Sequence, residues 1–540
     1  MINREMEKSK QMKSKEYKIN LQQKEKHPKA KMGKLTNTKG ITLIALVITI
    51  IMLIILATVT ITLVFGEGGL IQRAHEGKKL TEQAGKDEQD ELKGAEEFIN
   101  GVLSGTDLPD KKPYIDGSIV VAPQISEGMT PVKYEKEQNK WIKTDNTDSE
   151  WYNYGNKEWA NVVLVGENGK DADGDQDVFN SDGTLNEDSN YSMLVWIPRY
   201  AYKINSQYHQ SGTGAGEIDI AFIDTANKGK DGSTTYSTEY PEATEGGAMS
   251  DYVVHPAFDY GGTPLAGFWV GKFEGSNTAG YGDSSSTANT TNLTLQIKAG
   301  VTSWRSITVD NIFKVCTEMN KQGNPYGLSS NDNKVDPHMM KNSEWGAVAY
   351  LSQNAIYGKG EEVWINNSSD YITGSAGDSV SAAEDEGTTN DYKSTQGQNA
   401  STTGNTTGIY DMSGGAWEYV AAYVNNSYAD DYAASMINAA PKYKDVYSIG
   451  SSDSRDNNYA VSIPQNGHYG DTVWETSGGL SSLYTNSWYS DYSDFPVTDN
   501  SFFVRGGYYD YDIFAGLFCF NRTSGSNGTH DSFRVVVPVL

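Results

Sequence analysis

Asp411-Met412-Ser413-Gly414-Gly415-Ala416-Trp417-Glu418-Tyr419-Val420 is the strongest single block in the sequence. It sets a glycine pair just before a tryptophan and a glutamate. Trp417 is a large anchor of the kind a small, loop-rich core needs. Five more blocks keep a fixed order around it. Val195-Trp196-Ile197-Pro198-Arg199-Tyr200 comes first, then Gly267-Phe268-Trp269-Val270-Gly271-Lys272-Phe273-Glu274 and Glu344-Trp345-Gly346-Ala347-Val348-Ala349. Val504-Arg505-Gly506-Gly507 and Ser532-Phe533-Arg534-Val535-Val536 close the series. Phe533 reads as a second anchor, and Gly506-Gly507 permits a tight approach or positive φ. Glu418 and Arg505 are expected to form a buried charged pair, with surface placement as the alternative. Packing is the expected role of Trp417, Glu418, Arg505, Gly506, Gly507, Phe533 and Arg534.

Outward from these blocks, the texture from about residue 114 is one of short β-like runs separated by turns. Ser118–Ala122, Asn161–Val165, Met193–Ile197 and Phe268–Phe273 are examples. Helical patches are expected near Thr308–Met319 and Ser343–Leu351. Residues 275–293 and 374–407 are rich in Gly, Ser, Thr and Asn and are expected to be long surface loops. The chain has 540 residues, with 34 tyrosines and 55 glycines. That composition suits short strands and turns better than long helices.

The net charge is −26. Residues 1–40 carry +8, so the remaining 500 carry −34. An acidic body argues against nucleic acid as a partner, because phosphate repels it. The two cysteines, Cys316 and Cys519, cannot build a zinc site or a disulfide framework, although one disulfide stays open. Asp171, Asp173, Asp175, Asp177 and Asp182 have a spacing like that of a calcium loop. The sixth position is Gln176 where glycine belongs, and the twelfth is Asp182, so a solvated acidic loop is the competing reading. No cofactor is implied, with calcium the one metal the sequence raises.

Residues 41–65, ITLIALVITIIMLIILATVTITLVF, hold no charge and are long enough to cross a bilayer as a helix. The basic residues 1–40 before them keep the N-terminus in the cytoplasm and place the body outside. A cleaved secretory signal competes, but its apolar core would be shorter. Gly66-Glu67-Gly68-Gly69 interrupts the run. Residues 70–103 read as a polar, weakly amphipathic helix, and residues 104–113 as a linker.

Lys39-Gly40-Ile41-Thr42-Leu43-Ile44 resembles a type IV prepilin signal, and the resemblance covers residues 33–103. It implies cleavage between Gly40 and Ile41 by a prepilin peptidase, and contact with pilus subunits. An uncleaved anchor is the alternative. The family's glutamate at the fifth mature position is Ala45 here, which favours a plain anchor over a repeating subunit. Met32 would start a shorter leader.

The six C-terminal blocks resemble the formylglycine-generating-enzyme type of C-type-lectin fold over roughly residues 190–540. The resemblance implies an α+β chain. It comprises a leader (1–40), a long hydrophobic N-terminal helix (41–103), a linker (104–113), a β-rich spacer (114–189) and a loop-rich C-type-lectin-like domain (190–540). The family's oxidising members hold copper with two nearby cysteines. Cys519 lies in the matching stretch, but Phe514 stands five residues before it, so an enzymatic role is not expected.

The non-enzymatic relatives include the variable proteins of diversity-generating retroelements. Their variable segment runs from an Arg-Gly-Gly to a Phe-Arg-Val-Val, here residues 505–536. Adenine-directed mutagenesis of AAC-like codons never yields Lys, Glu, Gln, Met or Trp. None of these occurs from Tyr489 to Leu540, although they make up 108 of the 540 residues. At that frequency the absence has a probability on the order of 10⁻⁵, or roughly 0.4% at the frequency of residues 401–500. The resemblance implies ligand binding by Tyr508, Tyr509, Asp510, Tyr511, Asp512, Phe514, Leu517, Cys519 and Thr523. Tyrosine supplies contact area and a hydroxyl at low entropic cost. A Tyr-rich pair of strands with alternate residues in the core is the competing reading, and it must hold for some of these residues, since both faces cannot be exposed. The expected protein is a cell-surface or pilus-associated adhesin for a protein or other surface ligand, held in the membrane by residues 41–65. A formylglycine-generating-type enzyme and a structural pilin subunit are the alternatives.

Overall fold

Ser192–Pro198 reads Ser-Met-Leu-Val-Trp-Ile-Pro, and every residue of it is buried. A strand apolar on both faces must be covered on both. It pairs antiparallel with Asn161–Leu164 on one side and Gly267–Gly271 on the other, where Trp269 lies opposite Trp196. The structure, a computed structural model, describes residues 112–540 except 213, 284, 332, 386–389, 463–466 and 479–483. The leader 1–40, the helix 41–103 with its membrane span, the Gly40–Ile41 site and most of the linker 104–113 lie outside the described residues. Among the described residues no helix is long and apolar enough to cross a membrane.

Among the described residues the chain is mixed α and β, mostly strand and loop with few helices. The first sheet has seven strands in the order His338–Met339, Val535–Pro538, Gly267–Gly271, Ser192–Pro198, Asn161–Leu164, Met129–Glu135 and Lys140–Lys143. The second is built on Trp417–Val424, whose eight residues are all buried. Phe502–Gly506 pairs antiparallel with it and with Gly516–Thr523. Asp445–Tyr447 and Asp531–Phe533 run parallel to Trp417–Val424, against its two ends.

Pro113–Leu540 forms one compact unit. The expected boundary at 189/190 therefore does not separate a spacer from a domain. Met129–Glu135, Lys140–Lys143 and Asn161–Leu164 complete the sheet to which Ser192–Pro198 belongs, because that strand needs a neighbour on its open edge. Ser118–Ala122 is turn and irregular chain rather than strand. Residues 374–407 are not simply surface loop, since Ala376, Tyr392, Ser401 and Thr402 are buried.

Two helices lie close to their expected places. In Val309–Thr317 the Thr308 side chain caps the start by accepting from the Asn311 amide. Asn342–Gln353 is buried along most of its length, and Glu344 accepts from the Lys341 amide at 2.8 Å. Its Trp345 is fully buried and donates Nε1 to the Leu517 carbonyl at 2.8 Å.

Candidate functional site

The expected variable segment starts on a strand that ends in a forced turn. Gly506 and Gly507 have φ of 84° and 83°, and a Cβ on Gly507 would meet the Ala515 Cβ at 2.7 Å. Any L side chain there would be strained and crowded. The hairpin register runs Arg505 opposite Phe520 and then jumps to Gly506 opposite Gly516. Residues 507–515 therefore leave the sheet as an excursion. A turn closes at Tyr511 N–H to Tyr508 O, 2.8 Å, and one 3₁₀ turn follows at Asp512–Phe514.

This excursion sorts the candidate residues. Asp510 is exposed, and Tyr508, Tyr509, Tyr511 and Asp512 are half-buried. Phe514, Leu517 and Cys519 are 2%, 7% and 0% exposed. These three are corrected from candidate ligand contacts to core: Phe514 ends the 3₁₀ turn with its side chain buried, and Leu517 and Cys519 lie on the buried first half of the strand Gly516–Thr523. Thr523 sits at the far end of the same strand, opposite Phe502, with its hydroxyl 3.3 Å from that of Tyr419. The remaining five sit together on one turn.

The outward side chains meet groups from elsewhere. The Tyr508 ring lies 5.3 Å from Tyr509, 4.9 Å from Tyr511 and 5.0 Å from His530. Tyr509 meets Tyr371 edge to face at 4.9 Å, and Tyr511 meets Trp417 in the same way at 4.8 Å. The Tyr371 hydroxyl contacts His530 Nδ1, and the Arg305 guanidinium stacks 3.6 Å over the Tyr371 ring. Arg305 is itself buried and donates Nη1 to the Thr529 carbonyl at 2.6 Å. Burial pulls His530 below the usual imidazole range, and Arg305 adds to the shift. Burial raises the Tyr508 and Tyr509 hydroxyls, followed by Asp510 for Tyr508 and Glu384 for Tyr509. The result is an aromatic platform with carboxylates on its rim. Sequence reasoning missed Tyr371, Arg305 and His530. Only His530 lay inside a segment already singled out.

The ends of the segment are fixed from within. Arg505 and Arg534 are 0% and 1% exposed. Arg505 Nη2 reaches the Thr472 hydroxyl and the Leu517 carbonyl. Burial draws its guanidinium down to about 10. Arg534 Nη2 and Nε bind Glu418 at 2.5 and 2.9 Å, while Nη1 donates to Gly271 O and Nη2 also to Tyr410 O. The expected Glu418–Arg505 pair is thus replaced by Glu418–Arg534. Residues 418 and 505 do stand opposite each other in the sheet, but Arg505 extends toward Thr472 instead. Burial pushes the Glu418 carboxyl up to about 7 against the pull of Arg534. Trp417 and Phe533 are 5% and 0% exposed.

The two cysteines are free and buried, so the open disulfide is not formed. In the acidic loop, Asp171 accepts backbone amides from Asp175, Gln176 and Asn190. Asp173 accepts from Asn190 Nδ2, Asp177 pairs with Lys170 at 2.9 Å, and Asp182 accepts from Thr184. The loop's own donors thus engage four of the five, and among the described residues no group of three such side chains is placed to hold a metal.

No protein-family model and no curated protein matches this chain.

Proposed function

We propose that this chain is a membrane-anchored, surface-displayed ligand-binding protein whose C-type-lectin-like head carries a diversified face at residues 505–536. The anchor is the apolar run 41–65, with processing at Gly40–Ile41 and association with pilus subunits as its prepilin-like features suggest. The reading rests on one observation. Arg505 and Arg534, which bracket the segment, are buried hubs, whereas Tyr508, Tyr509, Asp510 and Asp512 between them leave the sheet and reach the surface. Such a segment can change its outward side chains without disturbing the groups that fix its ends. Exposed tyrosines also supply much of the energy in recognition surfaces.

Sequencing the surroundings of the gene tests this. A reverse transcriptase beside a near-copy of the 3′ end, differing at adenines, is the expected result. A neighbourhood holding neither would overturn the diversified-surface reading.

A further inference from the structure

The rim of the platform indicates the ligand's chemistry, an inference that rests on the recognition reading above. The segment 505–536 has no lysine, and its three arginines are all engaged. Arg505 and Arg534 are buried, and Arg522 pairs with Asp494 at 3.1 Å. His530 is held toward its neutral form. Asp510 and Glu384 are exposed, and among the described residues neither has a hydrogen-bond or ion-pair partner. Asp510 follows Tyr509 directly, and Glu384 lies on a turn held by Asn367, which donates to the Ala383 carbonyl at 2.8 Å and accepts from the Asp385 amide at 3.0 Å, four residues before the Tyr371 that packs on Tyr509. The platform therefore offers tyrosine faces and unpaired carboxylates with no free cation among them.

The rings narrow the choice of cation. Tyr508–Tyr509 and Tyr371–Tyr509 pack edge to face at 5.3 and 4.9 Å, so the rings of each pair touch and leave no gap between them for a quaternary ammonium. A flat guanidinium needs only the outer side of one half-buried ring, with its N–H fork left to reach a carboxylate. The fold already stacks one guanidinium on a tyrosine of this platform, Arg305 on Tyr371, with its Nη1 donating to the Thr529 carbonyl. We propose that the platform of Tyr508, Tyr509, Asp510 and Glu384 binds an arginine-bearing segment of a partner protein.

Fluorescence anisotropy of a labelled hexa-arginine peptide against the full chain in non-ionic detergent tests this. The comparison set is hexa-glutamate and choline. Hexa-arginine is expected to bind, less tightly at high salt. The double variant Asp510→Asn, Glu384→Gln should weaken it about tenfold, as should Tyr508→Ala. Exposed Glu239 and Glu242 stand elsewhere in the chain, and Glu239→Gln, Glu242→Gln should leave binding unchanged. Equal loss in both double variants would mean attraction to the acidic body at large and would overturn the proposal. So would binding indifferent to Asp510 and Glu384, or a preference for choline or hexa-glutamate. If the codons of the segment vary between cells while the peptide ignores the two carboxylates, the ligand chemistry fails and the recognition reading stands.

Discussion

Arg534 and Glu418 face each other across the joint between the two sheets, held by hydrogen bonds of 2.5 and 2.9 Å with both side chains buried. Phe533 ends a strand of the second sheet and Val535 begins one of the first, so Arg534 is the single residue between them. Its remaining bonds go to Gly271 in the first sheet and to Tyr410. Breaking a buried pair leaves a charge without compensation, which costs about 3–5 kcal/mol. Glu418→Ala and Arg534→Ala should each lower the stability of the head by about that amount in denaturant titration. The joint change Glu418→Leu, Arg534→Met should cost less than the sum of the two.

The turn after Gly507 separates side chains that can change from those that cannot. Phe514→Ala and Leu517→Ala remove buried groups and should cost about 2–5 kcal/mol each. Asp510→Ala and Tyr509→Ala should stay within about 1 kcal/mol, as most surface changes do. Thermal melts of the four variants side by side check this. Equal damage from the two groups would place the whole turn in the core.

A pH dependence follows from Glu475. Burial first, and Asp471 second, raise its carboxyl from an ordinary value of 4.5 to about 8. The folded chain then keeps a proton that the unfolded chain has released, so stability falls as pH rises from about 4.5 to about 8. His255, drawn down to about 3 by burial, works the other way, but only below its ordinary 6.5. Between pH 6.5 and 8 Glu475 contributes about 2 kcal/mol to this fall, and the Glu418 and Asp531 carboxyls, each raised by burial to about 7, add to it up to about pH 7. Melting temperature should drop over that interval. Glu475→Gln keeps an oxygen for the Tyr202 hydroxyl and the Gly470 amide and should make the drop shallower, above pH 7 most of all. An unchanged slope in that variant would assign the effect to other groups.

The N-terminus has its own test. Mass spectrometry of the membrane-extracted protein should find Ile41 as the first residue. An intact basic leader on the mature chain would reject prepilin-type processing and leave residues 41–65 as a simple anchor.

How much of this was legible in the sequence differs by element. Helices Val309–Thr317 and Asn342–Gln353 could be placed, as could the strands around Trp196 and Trp269, because apolar periodicity and turn residues act locally. The arginine partner of Glu418 could not be read, because strand pairing places Arg505 opposite it while side-chain reach selects Arg534. That some side chains of this segment face the core was expected, but that these are Phe514, Leu517 and Cys519 was hidden. It depends on the register jump at Gly506, which only the folded hairpin defines. Tyr371 and Arg305 join the platform from distant loops, and no motif marks either. The absence of five residue types from Tyr489 onward needed no geometry at all.

The most direct test of the central claim is to sequence the codons for residues 505–536 across a population of cells carrying this gene. Substitutions should be concentrated at adenine-containing codons for the outward residues Tyr508, Tyr509, Asp510 and Asp512. Arg505, Gly507, Phe514, Phe533 and Arg534 should stay unchanged. An invariant segment, or changes spread equally over the buried and outward positions, would contradict it.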